Sequence, residues 1–94
     1  MTVADDRRNL IESLTAAAVL SMDIDHRRLS GDHLADRAEV LAQDGATVLS
    51  PMHLEWISGD VAALREKPDS RVNQLRLKTT MGVIFSDFRK VTGS

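Results

Sequence analysis

LSGDHL at residues 29–34 and LSPMHL at residues 49–54 share the pattern Leu-Ser-x-x-His-Leu, and together they divide the chain into helices. When Ser30 or Ser50 is placed at the N-cap of a helix, the two leucines of each segment fall at N′ and N4. Those positions pack together in a hydrophobic staple. The pattern therefore predicts two helix starts. An internal duplication is the alternative, and the poor match of the two segments beyond six residues argues against it.

The other residues of both segments also suit the first turn of a helix. Pro51 falls at N1, where its missing N–H group costs nothing. His33 and His53 fall at N3, from which a side chain can reach back toward the cap. We therefore predict that both histidines serve the helix starts.

The first helix is predicted near residues 5–22, before a connection at residues 23–28, DIDHRR, that breaks the apolar pattern. Asp5 and Asp6 place negative charge at its start, which complements the helix dipole. Its apolar residues recur at three- and four-residue steps, so they share one face. The residues predicted on that buried face are Leu10, Ile11, Leu14, Ala17, Ala18, Ser21 and Met22.

Two further helices follow the serine caps, near residues 31–44 and 51–66. Gly45 is placed to end the first of them. A break at Ser58 is the alternative to one continuous second helix, because SGD interrupts the pattern there. The predicted buried residues are Leu34, Ala38, Leu41 and Ala42 in the first helix and Leu54, Ile57, Val61 and Leu64 in the second.

The last helix is predicted near residues 70–91, after the turn KPDS, in which Asp69 or Ser70 provides the cap. Residues 79–85, TTMGVIF, are rich in β-branched side chains, so a strand is the alternative there. An apolar seam of coiled-coil spacing favours the helix. Its members are Leu77, Met81, Ile84, Phe88 and Val91. The sequence thus predicts one all-α domain over residues 1–94, a small four-helix bundle.

A second stripe of small and apolar residues lies on the opposite side of the last helix: Val72, Leu75, Thr79, Gly82, Val83 and Ser86. A helix that is apolar on two sides is either central in its bundle or covered by a partner. Gly82 costs about 1 kcal/mol relative to alanine in mid-helix, so close approach of another backbone would explain it. Trp56 is either an ordinary core residue or an anchor for a partner.

The composition narrows the classes of function. The 94 residues have a net charge of −2, which argues against a general binder of polyanions, and 43% are apolar, enough for a thin core. The absence of cysteine excludes disulfides and thiol nucleophiles. The N-terminus lacks a signal-peptide pattern and no apolar run approaches a membrane span, so we expect a cytoplasmic protein. The bias toward arginine and alanine favours a bacterial or phage origin.

Catalytic and ligand sites find little support in the sequence. The three histidines, His26, His33 and His53, match no recognised metal-ligand spacing with the nearby carboxylates. The two helix starts could hold an anion beside Arg27 and Arg28 only if they converged. The serines have roles as caps or turn residues, and no nucleophile elbow is present. We therefore expect no enzyme activity, no cofactor or metal, and neither a membrane nor a small-molecule substrate as partner.

Two functions remain compatible with the sequence. The first is a non-enzymatic interaction or regulatory protein that self-associates or docks a protein partner through an apolar face of the last helix. Its predicted interface residues are Val72, Leu75, Gly82, Val83 and Trp56. The alternative is a DNA- or RNA-binding protein, because three basic residues lie within about 20° of one another and form a row about 27 Å long. They are Arg71, Lys78 and Arg89.

Overall fold

The computed structural model describes residues 3–91, with side chains from residue 7 to residue 88, and the described chain folds into four α-helices. They are α1 (Val3–Asp25), α2 (Gly31–Asp44), α3 (Pro51–Glu66) and α4 (Arg71–Val91). Each helix packs against the next, and α4 returns against α1 to close the bundle. The predicted all-α bundle is confirmed. α3 runs unbroken through Ser58, and α4 is helical throughout residues 79–85.

Serine caps begin three of the helices. Ser30 Oγ and Ser50 Oγ each accept a hydrogen bond from the backbone N–H three residues later, at 3.4 Å and 3.1 Å. Ser70 Oγ accepts one from the N–H of Asn73 at 3.3 Å, so Ser70 rather than Asp69 caps α4. Each cap satisfies an N–H group that the first helical turn leaves without a partner. The two helix starts predicted from the repeated pattern are therefore confirmed.

α1 ends three residues later than predicted, at Asp25. The N–H of Arg28 donates to the carbonyl of Asp23 at 3.0 Å, and the N–H of Arg27 donates to that of Ile24 at 3.2 Å. This is the hydrogen-bond pattern of a Schellman motif. Arg27 adopts the left-handed conformation, with φ of 54°, at the position where glycine is usual. The predicted connection began too early because no glycine marked the end of the helix.

The buried face of α1 also differs from the prediction. Ile11 and Met22 are 56% and 52% exposed. The residues that α1 buries are Ser13, Ala17, Leu20 and Ile24. The apolar run Ala16–Leu20 covers every side of the helix, so spacing alone did not determine which side meets the core. Contact with α2 on one side and α4 on the other determines it instead.

The predicted core stripes of the other three helices are confirmed as far as the structure describes them. The buried residues are Leu34, Ala35, Ala38 and Leu41 of α2, Ile57, Val61 and Leu64 of α3, and Leu77, Met81 and Ile84 of α4. Ala42, Leu54 and Phe88 are half-buried against this core. The side chain of Val91 lies outside the described residues.

Two glycines lie where a side chain would not fit. Gly45 ends α2 as predicted, but with φ of −93° rather than a left-handed value. A Cβ there would lie 2.9 Å from Ser13 Oγ and 2.9 Å from Leu49 Cδ1. At the other end of α2, a Cβ on Gly31 would lie 2.2 Å from the carbonyl oxygen of Pro68. Close packing, not backbone conformation, therefore explains both glycines.

Candidate interaction surface

The second stripe of α4 faces away from the bundle. We call Val72, Leu75, Thr79, Gly82, Val83 and Ser86 the α4 outer face. Val72 is 68% exposed and Leu75 is 41% exposed, whereas Val83 is half-buried. Since most of this stripe is exposed and α4 packs mainly between α1 and α3, the idea that a central position buries the stripe is wrong. The stripe is about 21 Å long and carries no charged residue.

Gly82 lies in this face without a neighbour in the described part of the chain. No heavy atom lies within 4 Å of a Cβ built there, beyond the helix's own nearby backbone. Close approach of another helix of the same molecule therefore does not explain the glycine, and that explanation is wrong. Close approach by a second molecule stays a prediction.

Buried polar contacts join α3 to α4. His53 Nε2 donates to Asp87 Oδ2 at 2.8 Å, because a carboxylate only accepts. About two turns further along α3, Thr80 Oγ1 donates to Asp60 Oδ2. His53, Asp60 and Thr80 are all buried. These two pairs set the antiparallel register of the two helices, in which residue 56 lies level with residues 83 and 84.

Trp56 is on the surface, so the interpretation as a core residue is wrong. Its side chain is 41% exposed, and its ring contacts the ring of His53 with 6.2 Å between centroids. The register of α3 on α4 places Trp56 at the level of Val83, at the edge of the α4 outer face. The structure therefore brings Trp56 close to the stripe with which the sequence analysis grouped it.

The two histidines of the repeated pattern have different roles. His33 turns back to its cap as predicted, with Nδ1 at 3.0 Å from Ser30 Oγ. His53 turns into the bundle instead, packs on Phe88 at 5.9 Å between ring centroids, and leaves Nδ1 buried without a partner. The prediction for His53 is wrong because its position faces α4. Asp60, an acid within an apolar stripe of α3, signals only the second polar contact, in which it accepts from Thr80.

Two exposed residues that the sequence analysis did not assign to the interface extend this surface toward α1. Phe85 is 39% exposed on α4. Lys78 pairs with Asp25, which sets the register of α1 on α4 and places Met22 at about the level of Gly82. Phe85 and Met22 therefore add exposed apolar side chains on the side of α4 where Lys78 pairs with Asp25.

The described members of the basic row make contacts within the chain. Arg71 Nη1 donates to the carbonyl of Ile24 at 2.8 Å, at the end of α1, whose last turn has no basic residue of its own. A cation is favourable there because it meets the negative end of the helix dipole. Lys78 donates to Asp25, and this hydrogen bond lowers the pKa of the Asp25 carboxyl. The side chain of Arg89 lies outside the described residues. Nucleic-acid binding stays a prediction, and its support is weaker because Arg71 and Lys78 already make contacts within the chain.

The two helix starts do not converge on an anion site. Gly31, at the start of α2, packs against Pro68 at the far end of α3, so the α2 and α3 starts lie at opposite ends of the bundle. Among the side chains that the structure describes, those of residues 7–88, no three from His, Asp or Glu are grouped to hold a metal ion. None of the described helices has an apolar stretch long enough to span a membrane.

Comparison with protein-family models, with curated proteins and with solved structures found no match to this chain.

Proposed function

We propose that this protein is a small, non-enzymatic cytoplasmic interaction protein that self-associates through the α4 outer face. The observation that carries the proposal is a helix face of six positions without a charge, five of them exposed and Val83 half-buried, in a chain of which 28% is charged. The outer face of a surface helix normally carries polar and charged residues. An apolar surface left open in this way is typical of an interaction site.

A second copy of the chain is the partner that this face suits. Two identical uncharged faces meet across a two-fold axis without like-charge repulsion. The charges along the edges of the face are already balanced within the chain, because Arg76 lies 3.9 Å from Asp60 and Lys78 pairs with Asp25. Gly82 allows two α4 backbones to approach closely, which gives the glycine a role that the single bundle lacks.

The α4 outer face alone is too narrow for a stable interface. Specific interfaces bury about 1,200–2,000 Å² in total, whereas this stripe is one helix face about 21 Å long. We therefore include the exposed residues beside it, Phe85 and Met22 on one edge and Trp56 on the other. Tryptophan is among the residues most enriched at binding hot spots, so Trp56 is the anchor in this proposal.

Light scattering coupled to size exclusion, over a range of protein concentrations, tests the proposal. The wild-type protein should elute with the mass of a dimer, and Leu75→Lys should shift it to a monomer because the new charge would be buried against the apolar face of the other copy. Val40→Lys is the matched control, since Val40 is a similarly exposed apolar residue of α2, and it should keep the dimer. A wild-type monomer at high concentration would refute self-association and leave the face open for a different protein.

A further inference from the structure

A groove of about 920 Å³ runs between α1 and α2, and no residue of α4 lines it. Leu20 and Leu41 form its buried floor. Val19 and Val40 lie along its rims, 47% and 53% exposed. Its α1 wall extends over the 15 residues from Asn9 to Asp23, or about 21 Å of helix. The groove is therefore a second, elongated surface with an apolar floor and polar residues along its walls, separate from the α4 outer face.

One end of the groove is acidic. Glu12 and Asp44 both line it, and the close packing of Ser13 on Gly45 places them at the same level. Neither carboxylate has an ion-pair partner among the described residues. Asp44 also lies in the last turn of α2, which has no basic residue. Negative charge at a helix C-terminus is unfavourable, so a cation is favoured at the acidic end, where Arg8, one turn before Glu12, offsets part of the charge without pairing with either carboxylate.

Elsewhere along the groove the acidic side chains lie close to arginines of the same chain. Asp36 accepts a hydrogen bond from Arg65 at 2.9 Å, and Asp23 lies 4.0 Å from Arg28. Arg37 also lines this part of the groove. The negative potential is therefore concentrated at the end formed by Glu12 and Asp44.

We propose that this groove binds an amphipathic helix of a partner protein, with apolar residues on one face and lysine or arginine at the end that meets Glu12 and Asp44. A length of about 21 Å accepts roughly four helical turns. A helix docks in such a groove through apolar anchors spaced by three and four residues. Its basic end would meet the two carboxylates and the last carbonyl groups of α2. This proposal does not depend on self-association.

Two synthetic 15-residue helical peptides serve as probes. Both carry the same four leucines on one face, with lysines at the flanking positions in one peptide and glutamates in the other. In fluorescence anisotropy with the full chain, the lysine peptide should bind at least tenfold more tightly, and its affinity should fall as salt is raised because salt screens exposed charges. Equal binding of the two peptides, or binding of neither, overturns the proposal.

Two surface variants identify the site and separate this proposal from self-association. Val40→Lys should abolish binding of the lysine peptide and leave the mass of the protein unchanged. Leu75→Lys should do the reverse, lowering the mass and leaving peptide binding intact. If the peptide still binds to Val40→Lys, or is lost with Leu75→Lys, it does not occupy the α1–α2 groove.

A variant with Glu12→Gln and Asp44→Asn tests the acidic end. Affinity for the lysine peptide should fall about fivefold, as expected for the loss of two exposed ion pairs. The same variant should unfold at a higher temperature, because the negative charge at the end of α2 is gone. Weaker binding by a more stable protein cannot come from unfolding. An unchanged affinity would show that the carboxylates do not contact the ligand and would overturn the proposal.

Discussion

Replacing Gly82 by alanine should raise the stability of the single bundle and weaken the association of two bundles. Within a single described molecule nothing lies within 4 Å of the added Cβ, so the methyl group meets no clash. Alanine then gains about 0.8–1.0 kcal/mol of helix propensity over glycine. For a domain of this size, about 1 kcal/mol raises the midpoint of thermal unfolding by roughly 4–8 °C. Gly59 of α3 is equally open, so Gly59→Ala should give the same gain and is the matched control.

The two variants should differ in assembly. If two copies of α4 approach closely at Gly82, an added methyl group overpacks the contact, which costs about 1–3 kcal/mol. The dissociation constant of the dimer should therefore rise roughly five- to a hundredfold. Gly59→Ala should leave that constant unchanged. Light scattering over a dilution series measures the constant, and thermal unfolding at concentrations where the wild-type protein is monomeric measures the gain in stability.

Two results would refute this reasoning. If Gly82→Ala raises the unfolding temperature as much as Gly59→Ala does and the dimer is unaffected, no second backbone lies close to Gly82. If Gly82→Ala instead destabilises the monomer, then another part of the chain packs against α4 at that position.

Three further predictions concern the bundle itself. His53→Ala should lower the free energy of unfolding by about 2 kcal/mol or more, because it removes a buried, hydrogen-bonded ring. His33→Ala should lower it by less than about 0.5 kcal/mol. Urea denaturation measures both free energies. Lys78 lowers the pKa of the Asp25 carboxyl. The ionised carboxyl therefore stabilises the fold at pH values above the ordinary pKa of a carboxyl. This stabilisation is lost as the pH falls through the lowered pKa. Asp25→Asn should therefore flatten the decline in unfolding temperature between about pH 5 and pH 2, and an unchanged slope would count against the pair. Gly31→Ala should cost about 2–3 kcal/mol in the same urea assay, because its Cβ would meet backbone of the turn before α4.

Features set by neighbouring residues in the chain could be predicted from the sequence. The serine caps and the buried stripes of α2, α3 and α4 depend on side chains within a few positions of one another. A cap satisfies N–H groups of its own helix, and a stripe with helical spacing needs only one face to be apolar. Both are local, so the sequence contains what is needed to predict them.

Features set by contact between helices could not be predicted in this way. The end of α1 depends on Arg27 adopting a left-handed conformation that most residues avoid. His53 occupies the same position as His33 in the repeated pattern, yet only His53 has Asp87 within reach on another helix. The contact of Arg71 with the end of α1 could not be predicted for the same reason, since it also joins two helices. Identical local patterns therefore lead to different contacts.

The two surfaces proposed for binding lie on helix pairs that are held together differently. α3 and α4 share buried polar pairs, His53 with Asp87 and Thr80 with Asp60, and such pairs tolerate only one register because a slip would leave polar groups buried without partners. Trp56 is therefore held at a fixed level on the α4 outer face, as a preformed interface between identical copies requires. α1 and α2 are instead joined at one end by the close packing of Ser13 on Gly45 and leave an open groove along the rest of their length. The first arrangement suits one specific symmetric partner, and the second suits an inserted helix whose apolar residues complete the core between α1 and α2.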